Sequence, residues 1–255
     1  MFFGHHRNEE YYIAKEDIMK AIEIYYGKAF RSILKAVNPF KKTVIKTEAK
    51  VHQFINIHAL NLLKEYRYDN EFKLYSEQIE EINKGAVWAD QDFKSINHFY
   101  NPQKKKGLYG HGNALKLTQK YYKIAVQSFR ENHIEESMFY LGACVHIIQD
   151  LTIPQHVNIR LLDNHRQYEN FVKISYDKVK TFRTKDKPIT FDEIGEYVRF
   201  NTKVALRIHK QFKKIKDDQI RFYKITRCSL PLSQRTTAGC LIMFLKEVEQ
   251  VDVKV

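Results

Sequence analysis

Apolar residues recur at helical spacing along most of this chain. The clearest stripe joins five residues by alternating steps of four and three: Ile134, Met138, Leu141, Val145 and Ile148. Such spacing keeps one face of a helix apolar and turned towards a core. Asn132 is a candidate N-cap for this helix, and Pro154 marks the point before which it should end. The pattern predicts one well-bounded amphipathic helix between these two residues.

Comparable stripes occur in six other segments, whereas period-two segments closed by Asn-Gly or Asp-Gly turns are absent from the sequence. The six segments are 18–37, 51–63, 115–129, 168–182, 194–215 and 238–248. The few glycines and prolines cluster between the stripes, so that Gly85 and Pro231 predict segment boundaries. We therefore expect an all-α fold, a single compact helical bundle over residues 41–255 preceded by a helical extension over residues 1–40.

Composition and charge narrow the function classes. Hydrophobic residues make up 44% of the 255 residues, and the longest dense apolar patch, GCLIMFL, is far shorter than a membrane span. The first residues, MFFGHHRNEEYY, lack the apolar core of a secretory signal, so a cytoplasmic location is the default expectation. Three scattered cysteines predict buried thiols without disulfides. The net charge of +13 favours anionic partners such as nucleic acid, anionic lipid or phosphate esters.

The stretch YLGACVHIIQDLTIPQHVN places polar groups inside the predicted helix. His146 and Asp150 are four residues apart, so they share a face beside the apolar stripe and should point partly inward. A buried carboxylate is costly unless a cation or several donors satisfy it. For an isolated pair, the simplest interpretation is a hydrogen bond between two core residues. A metal site is the alternative interpretation.

The pair is accompanied by other residues of the same chemistry. Four further segments add imidazole and carboxylate groups: His52, Asp90 and His98, His156, and the four-spaced pair His165 and Glu169. Histidine with aspartate or glutamate, and no cysteine, suits a catalytic zinc site with open positions better than a closed structural site. Metal-assisted hydrolysis is therefore the leading hypothesis.

The order and spacing of these eight residues resemble the bacterial zinc-dependent phospholipase C family, an all-α family. The resemblance is carried by KVHQFIN, GAVWAD, NHFYNP, FYLGACVHIIQDLTIPQHVN and HRQYENF, and it extends over residues 47–248. It implies that residues 41–255 form a phospholipase C-like catalytic domain. It also implies metal-ligand groups: one zinc on Asp90, His98, His146 and Asp150, a second on His156, His165 and Glu169, and a third on His52 with Asp150 as a bridge.

The resemblance also implies a reaction and a substrate. The enzyme would hydrolyse glycerophospholipids at a membrane surface, as a peripheral protein, to diacylglycerol and a phosphorylated head group, and Asp90 would orient or deprotonate the attacking water. Secreted members complete the third zinc site with an N-terminal tryptophan, whereas the single tryptophan here is Trp88. The expectation is therefore two or three zinc ions per chain. Most members are secreted, which points away from the cytoplasmic default.

Two alternatives belong to other classes. A single-strand nuclease of the S1/P1 type uses a similar zinc cluster, and the basic charge favours nucleic acid. Glu169, where those nucleases use aspartate, and the NHFYNP segment favour the lipase. The second alternative is a zinc-stabilised protein without catalysis that binds a membrane or a partner through its basic surface.

Overall fold

The structure is a computed structural model, which describes residues 49–91, 98–103, 105, 113–157 and 165–250. These ranges contain nine α-helices, one short 3₁₀-helix and no β-strand, so the all-α prediction is confirmed for them. The helices are α1 (Lys50–Glu65), α2 (Asp69–Glu77), α3 (Ile79–Ala89), α4 (Ala114–Arg130), α5 (Ile134–Asp150), α6 (Pro154–Val157), α7 (His165–Ser175), α8 (Ile194–Phe212) and α9 (Asp218–Glu249). The extension predicted over residues 1–40 lies outside the described residues.

Helix α5 is the central helix of the core. It packs most extensively against α3 and α4, and its predicted apolar stripe is buried except for half-buried Ile134 at its start. The predicted N-terminus was wrong by one residue, because the N-cap is His133. Asn132 precedes it with a φ of 60°, a left-handed conformation that asparagine tolerates and that turns the chain into the helix. The helix ends at Asp150, four residues before Pro154, as the sequence predicted.

Two glycines allow α3 and α5 to cross with their main chains in direct contact. A Cβ placed on Gly142 would lie 2.0 Å from the carbonyl oxygen of Ile82, and one on Gly85 would lie 1.8 Å from the carbonyl oxygen of Phe139. Gly85 was predicted to mark a segment boundary, but it lies inside α3. Its absent side chain, rather than any backbone turn, explains its presence there. The crossing fixes the position of the chain that follows α3.

Helix α9 is much longer than its predicted apolar stripe. The stripe was placed at 238–248, whereas the helix begins at Asp218 and continues through Pro231, which was wrongly predicted to be a boundary. Pro231 removes one main-chain hydrogen bond of the helix. Thr226 precedes the proline and Ser233 follows it. The hydroxyl group of each donates to the carbonyl oxygen four residues earlier in the helix. The helix packs against α1, α5 and α8 and so joins distant parts of the fold.

Other expectations need smaller corrections. The stripe at 168–182 is divided into α7 and the 3₁₀-helix Lys180–Phe182, and α2 and α3 were not predicted. All three cysteines are free, as predicted, but Cys228 is exposed rather than buried. It lies two residues beyond buried Thr226 and therefore on another side of α9. No helix in the described ranges combines the length and apolar character of a membrane-spanning segment.

Candidate metal centre

The polar residues singled out in the sequence converge around the C-terminal end of α5. His146 and Asp150 lie in the last part of this helix, and both are buried, although both were expected to point only partly inward. His52 lies in the first turn of α1, and His156 lies on the short helix α6. His98 precedes α4 and is completely buried. Residues from distant parts of the chain therefore share one site.

The carboxylate of Asp150 is the meeting point of four imidazole rings. Its Oδ2 atom lies 2.8 Å from Nδ1 of His98, 3.3 Å from Nε2 of His146 and 3.7 Å from Nδ1 of His156. Its Oδ1 atom lies 3.6 Å from Nε2 of His52. The rings of His52 and His146 also face each other at a centroid distance of 4.0 Å. His52, His146 and Asp150 offer three ligand atoms close enough to share an ion, and we call them the first donor set.

A second donor set lies beside the first and consists of His156, His165 and Glu169. Nε2 of His165 lies 3.3 Å from Nε2 of His156 and 3.3 Å from Oε1 of Glu169. His165 and Glu169 occupy the same face of α7, one turn apart, as their spacing predicted. This set contains the same three residues that the family resemblance assigns to one zinc ion.

Asp90 is placed differently from the other seven residues. It directly follows α3 and is the one exposed residue of the eight; like His98, it belongs to neither donor set. It is nevertheless close enough to affect the site: burial and His146 lower the pKa of His52, while the charges of Asp150 and Asp90 raise it. Asp90 is thus an exposed carboxylate near the cluster, and it is accessible to solvent or a ligand.

The donor sets fit the requirements of a zinc site. Two ligand atoms about 2.0–2.1 Å from a tetrahedral zinc ion lie about 3.3–3.4 Å from each other. Three of the distances above are 3.3 Å. Among the described residues, the buried atoms Nε2 of His98, Nδ1 of His146 and Nδ1 of His156 have no hydrogen-bond partner. Buried polar atoms normally have a hydrogen-bond partner. These nitrogens have none within the protein, which indicates that they contact a bound ligand such as a metal ion.

The electrostatics keep the cluster ready for a cation at neutral pH. Burial alone would raise the pKa of Asp150, but His146, His156 and the hydrogen bond from His98 hold that pKa well below its ordinary value. The carboxylate is therefore ionised. Burial lowers the pKa of His156 to about 3, against the attraction of Asp150. A neutral imidazole beside an ionised carboxylate is the protonation state in which both bind metal.

Acidification should destabilise the metal-free protein. In the unfolded chain His156 takes up a proton near its ordinary pKa of 6.5, whereas in the folded protein it stays neutral down to about 3. The unfolded state binds more protons between these values, so the free energy of unfolding falls as pH falls through this window, by about 1 kcal/mol per pH unit. Urea denaturation of chelator-treated protein between about pH 7.5 and 5 measures this slope.

The matched variants for that experiment are His156→Asn and His133→Asn. The first removes the buried imidazole and should make the pH dependence shallower, and the lowered pKa of His52 should account for the part that remains. The second removes an imidazole whose side chain is exposed and should leave the slope unchanged. An equal slope in His156→Asn and the unmodified protein would contradict the assignment.

Two residues of the site were not predicted from the sequence. The ring of Phe99 stacks on His156, with centroids 4.9 Å apart and planes 5° apart, which holds that imidazole from one side. Gln149 contacts His52 from the other end of the cluster, 2.7 Å from its Nδ1 atom. Neither has a sequence signal, because an aromatic residue is an ordinary core residue and the burial of one particular glutamine is not visible in the sequence. Only the fold shows that they contact candidate ligands.

An all-α fold with histidine and carboxylate donor sets at its centre defines a helical metal-dependent protein, and comparison with known proteins specifies it further. Residues 51–218 match the family model described as zinc dependent phospholipase C. The chain belongs to the zinc-dependent phospholipase C family. The family resemblance seen in the sequence is confirmed. Members of this family are enzymes that depend on zinc and act on phospholipids.

Individual relatives agree with the family match. A phospholipase C of Bacillus cereus is 31% identical over 125 residues, 47% of this chain and 42% of that protein. A phospholipase C of Paraclostridium bifermentans is 24% identical over 233 residues, 77% of this chain and 58% of that protein. Among solved structures, the alpha toxin from Clostridium absonum superposes with a TM-score of 0.69 at 19% identity, covering 80% of this chain and 65% of that one.

The identity and coverage values decide what each comparison shows. At 19% identity, the toxin structure shows a shared fold alone. The chain spans less than two thirds of the length of each of these three relatives. Its own activity, substrate and partners therefore rest on the chemistry of its site.

Proposed function

We propose that this chain is a phospholipase C that hydrolyses glycerophospholipids between glycerol and phosphate, giving diacylglycerol and a phosphorylated head group. The observation that carries the proposal is the pair of donor sets around Asp150, found within the region that matches the family. Imidazole and carboxylate groups arranged in this way suit divalent cations and phosphodiester chemistry.

We assign the eight residues as follows. His156, His165 and Glu169 would hold one zinc ion, supported by their 3.3 Å ligand spacings. Asp150 would bridge two further positions, supported by its contacts to four imidazoles. The remaining ligands are His52, Asp90, His98 and His146. Two or three ions per chain are therefore expected, the third depending on His52.

The protein groups have defined tasks in the reaction. Bound zinc supplies positive charge that offsets the negative charge developing on phosphoryl oxygens, and it lowers the pKa of water. The buried carboxylate of Asp150 holds the surrounding imidazoles in fixed positions. Asp90, exposed at the end of α3, would orient the attacking water and accept its proton as the new bond to phosphorus forms. The bond from phosphorus to the glycerol oxygen would then break, and this oxygen would take up a proton from solvent to leave as the hydroxyl group of diacylglycerol.

The substrate would be met at a membrane or micelle surface, to which the chain binds peripherally. A net charge of +13 supports this, because a basic surface is attracted to anionic lipid head groups. The same charge would also attract nucleic acid, so the decisive experiment compares both substrates.

Replacing Asp90 with asparagine should abolish activity and leave the fold intact. Asparagine keeps the size of the side chain but cannot accept the proton, and we expect a loss of at least about 100-fold in kcat/KM. Hydrolysis of phospholipid in mixed micelles and of single-stranded DNA should be followed in parallel, together with zinc content by native mass spectrometry. We expect turnover of the phospholipid and none of the DNA.

Asp192→Asn is the matched control, because Asp192 is also exposed and belongs to neither donor set. It should keep full activity. A fully active Asp90→Asn protein would remove the assignment of Asp90. Cleavage of DNA alone would replace the proposal by a nuclease, and bound zinc without turnover of either substrate would indicate a zinc-stabilised binding protein.

A further inference from the structure

We propose that Gln149 is a positioning residue that fixes the ring of His52 so that its Nε2 atom faces the metal site. The inference rests on the proposed function, because it assumes that His52 binds an ion. It concerns a residue that is not itself a candidate metal ligand. Side chains from α1, α5 and α9 meet at this position.

The contact between Gln149 and His52 is short and partly buried. Oε1 of Gln149 lies 2.7 Å from Nδ1 of His52, and the glutamine is 1% exposed. Gln149 directly precedes Asp150 on α5, so the same helix end carries both the carboxylate of the first donor set and the amide behind His52. The imidazole is held between them, with Nε2 3.6 Å from Oδ1 of Asp150.

The orientation of the glutamine amide is determined by its other contacts. Its Nε2 group donates to Oδ1 of Asn56 at 2.8 Å and to Oγ1 of Thr237 at 3.1 Å. Nδ2 of Asn56 donates in turn to Oδ1 of Asn83 at 2.9 Å. A reversed Gln149 amide would place its oxygen against the oxygen of Asn56 and lose that bond. The network therefore directs the amide oxygen towards His52.

This orientation selects one tautomer of the imidazole. An amide oxygen only accepts hydrogen bonds, so Nδ1 of His52 must carry the hydrogen and Nε2 must carry the lone pair. A histidine that binds metal usually donates its other ring nitrogen to a carbonyl or carboxylate oxygen, and such partners raise metal affinity. Gln149 occupies this position for His52. Asn56 on α1 and Thr237 on α9 hold it there, and Asn83 on α3 in turn accepts a hydrogen bond from Asn56.

A purely structural role predicts different behaviour. A buried glutamine with satisfied hydrogen bonds can contribute to packing alone, and replacing it would then change stability without changing metal affinity. Gln149→Leu and Gln149→Glu separate the two roles. Leucine removes the acceptor for His52 and is apolar like the core. Glutamate retains the acceptor but loses both donors, to Asn56 and Thr237.

The experiment measures zinc affinity by competition with a chelator and zinc stoichiometry by native mass spectrometry, independently of activity. Gln149→Leu should lower the affinity for one zinc ion by about 10- to 100-fold, while the ion of the second donor set is retained. Gln149→Glu should bind zinc within a few-fold of the unmodified protein although it unfolds at lower urea concentration. A structural role would show no weakening in either variant.

Gln234→Leu is the matched control. Gln234 is also a completely buried glutamine with satisfied hydrogen bonds, but its partners are the carbonyl oxygen of Phe182 and the amide of Thr184. It should lower stability and leave zinc affinity unchanged. If the unmodified protein and the Gln149→Leu variant bind zinc with equal affinity, this inference alone is overturned. Unmodified protein that binds no zinc would overturn the proposed function and this inference with it.

Discussion

The Asp150→Asn protein is expected to lose zinc from the first donor set and at least about 1,000-fold of its phosphodiesterase activity. Asp150 is the single carboxylate within 3.7 Å of His52, His98, His146 and His156 in the described part of the chain. An asparagine of the same size carries no charge, and its NH₂ group cannot accept the hydrogen bond from His98 or bind a cation. The measurements are zinc stoichiometry and kcat/KM on a soluble phosphodiester.

Thr152→Val is the control for local damage. Thr152 is completely buried near the end of α5, and its hydroxyl donates to the carbonyl oxygen of Gln149 and contacts Ser233. The substitution disturbs buried polar contacts beside the site without touching either donor set. It should retain zinc. If Asp150→Asn bound the same number of ions as the unmodified protein, the carboxylate would not be a metal ligand.

Gly142→Ala is expected to cause a large loss of stability. The added Cβ would lie 2.0 Å from the carbonyl oxygen of Ile82, a main-chain atom of α3 that cannot move alone. The two helices would have to separate, at a cost on the order of 3 kcal/mol or more. For a protein of this size that corresponds to a fall in Tm of roughly 10 °C. Thermal denaturation followed by circular dichroism measures it.

Gly195→Ala provides the comparison for this prediction. Its Cβ would meet the end of the flexible Arg199 side chain at 3.0 Å, which can move away. Alanine also favours a helix more than glycine does. The Tm of Gly195→Ala should therefore be unchanged or slightly higher. A similar small effect in Gly142→Ala would show that α3 and α5 can separate without cost.

The fold could be predicted from the sequence wherever one apolar stripe faced the core. The helices at 51–63 and 115–129 were found within two residues of their predicted ends, because amphipathic spacing decides their burial. Gly85 and Pro231 misled the prediction. Each residue lowers the stability of an isolated helix, and tertiary packing outweighs this loss. For Gly85 the packing is the helix crossing, and for Pro231 it is the burial of a long helix.

The candidate site was predictable for a different reason. The four-residue spacings of His146 with Asp150 and of His165 with Glu169 fix their relative positions once the segments are helical. The convergence of these segments was an inference from residue chemistry and family resemblance. The contact of His52 with Gln149 joins residues 97 apart in sequence, and no local pattern encodes it. This contact results from long-range packing and could be seen only in the structure.

The termination of α5 at Asp150 has a further consequence for anions. The carbonyl groups of the last turn give this end of the helix about half a negative charge, in addition to the charge of the carboxylate. A phosphate group approaching the centre without a counter-ion would be repelled by both. Binding of inorganic phosphate or of substrate should therefore be thermodynamically linked to prior binding of the cation, and each should increase the affinity of the other.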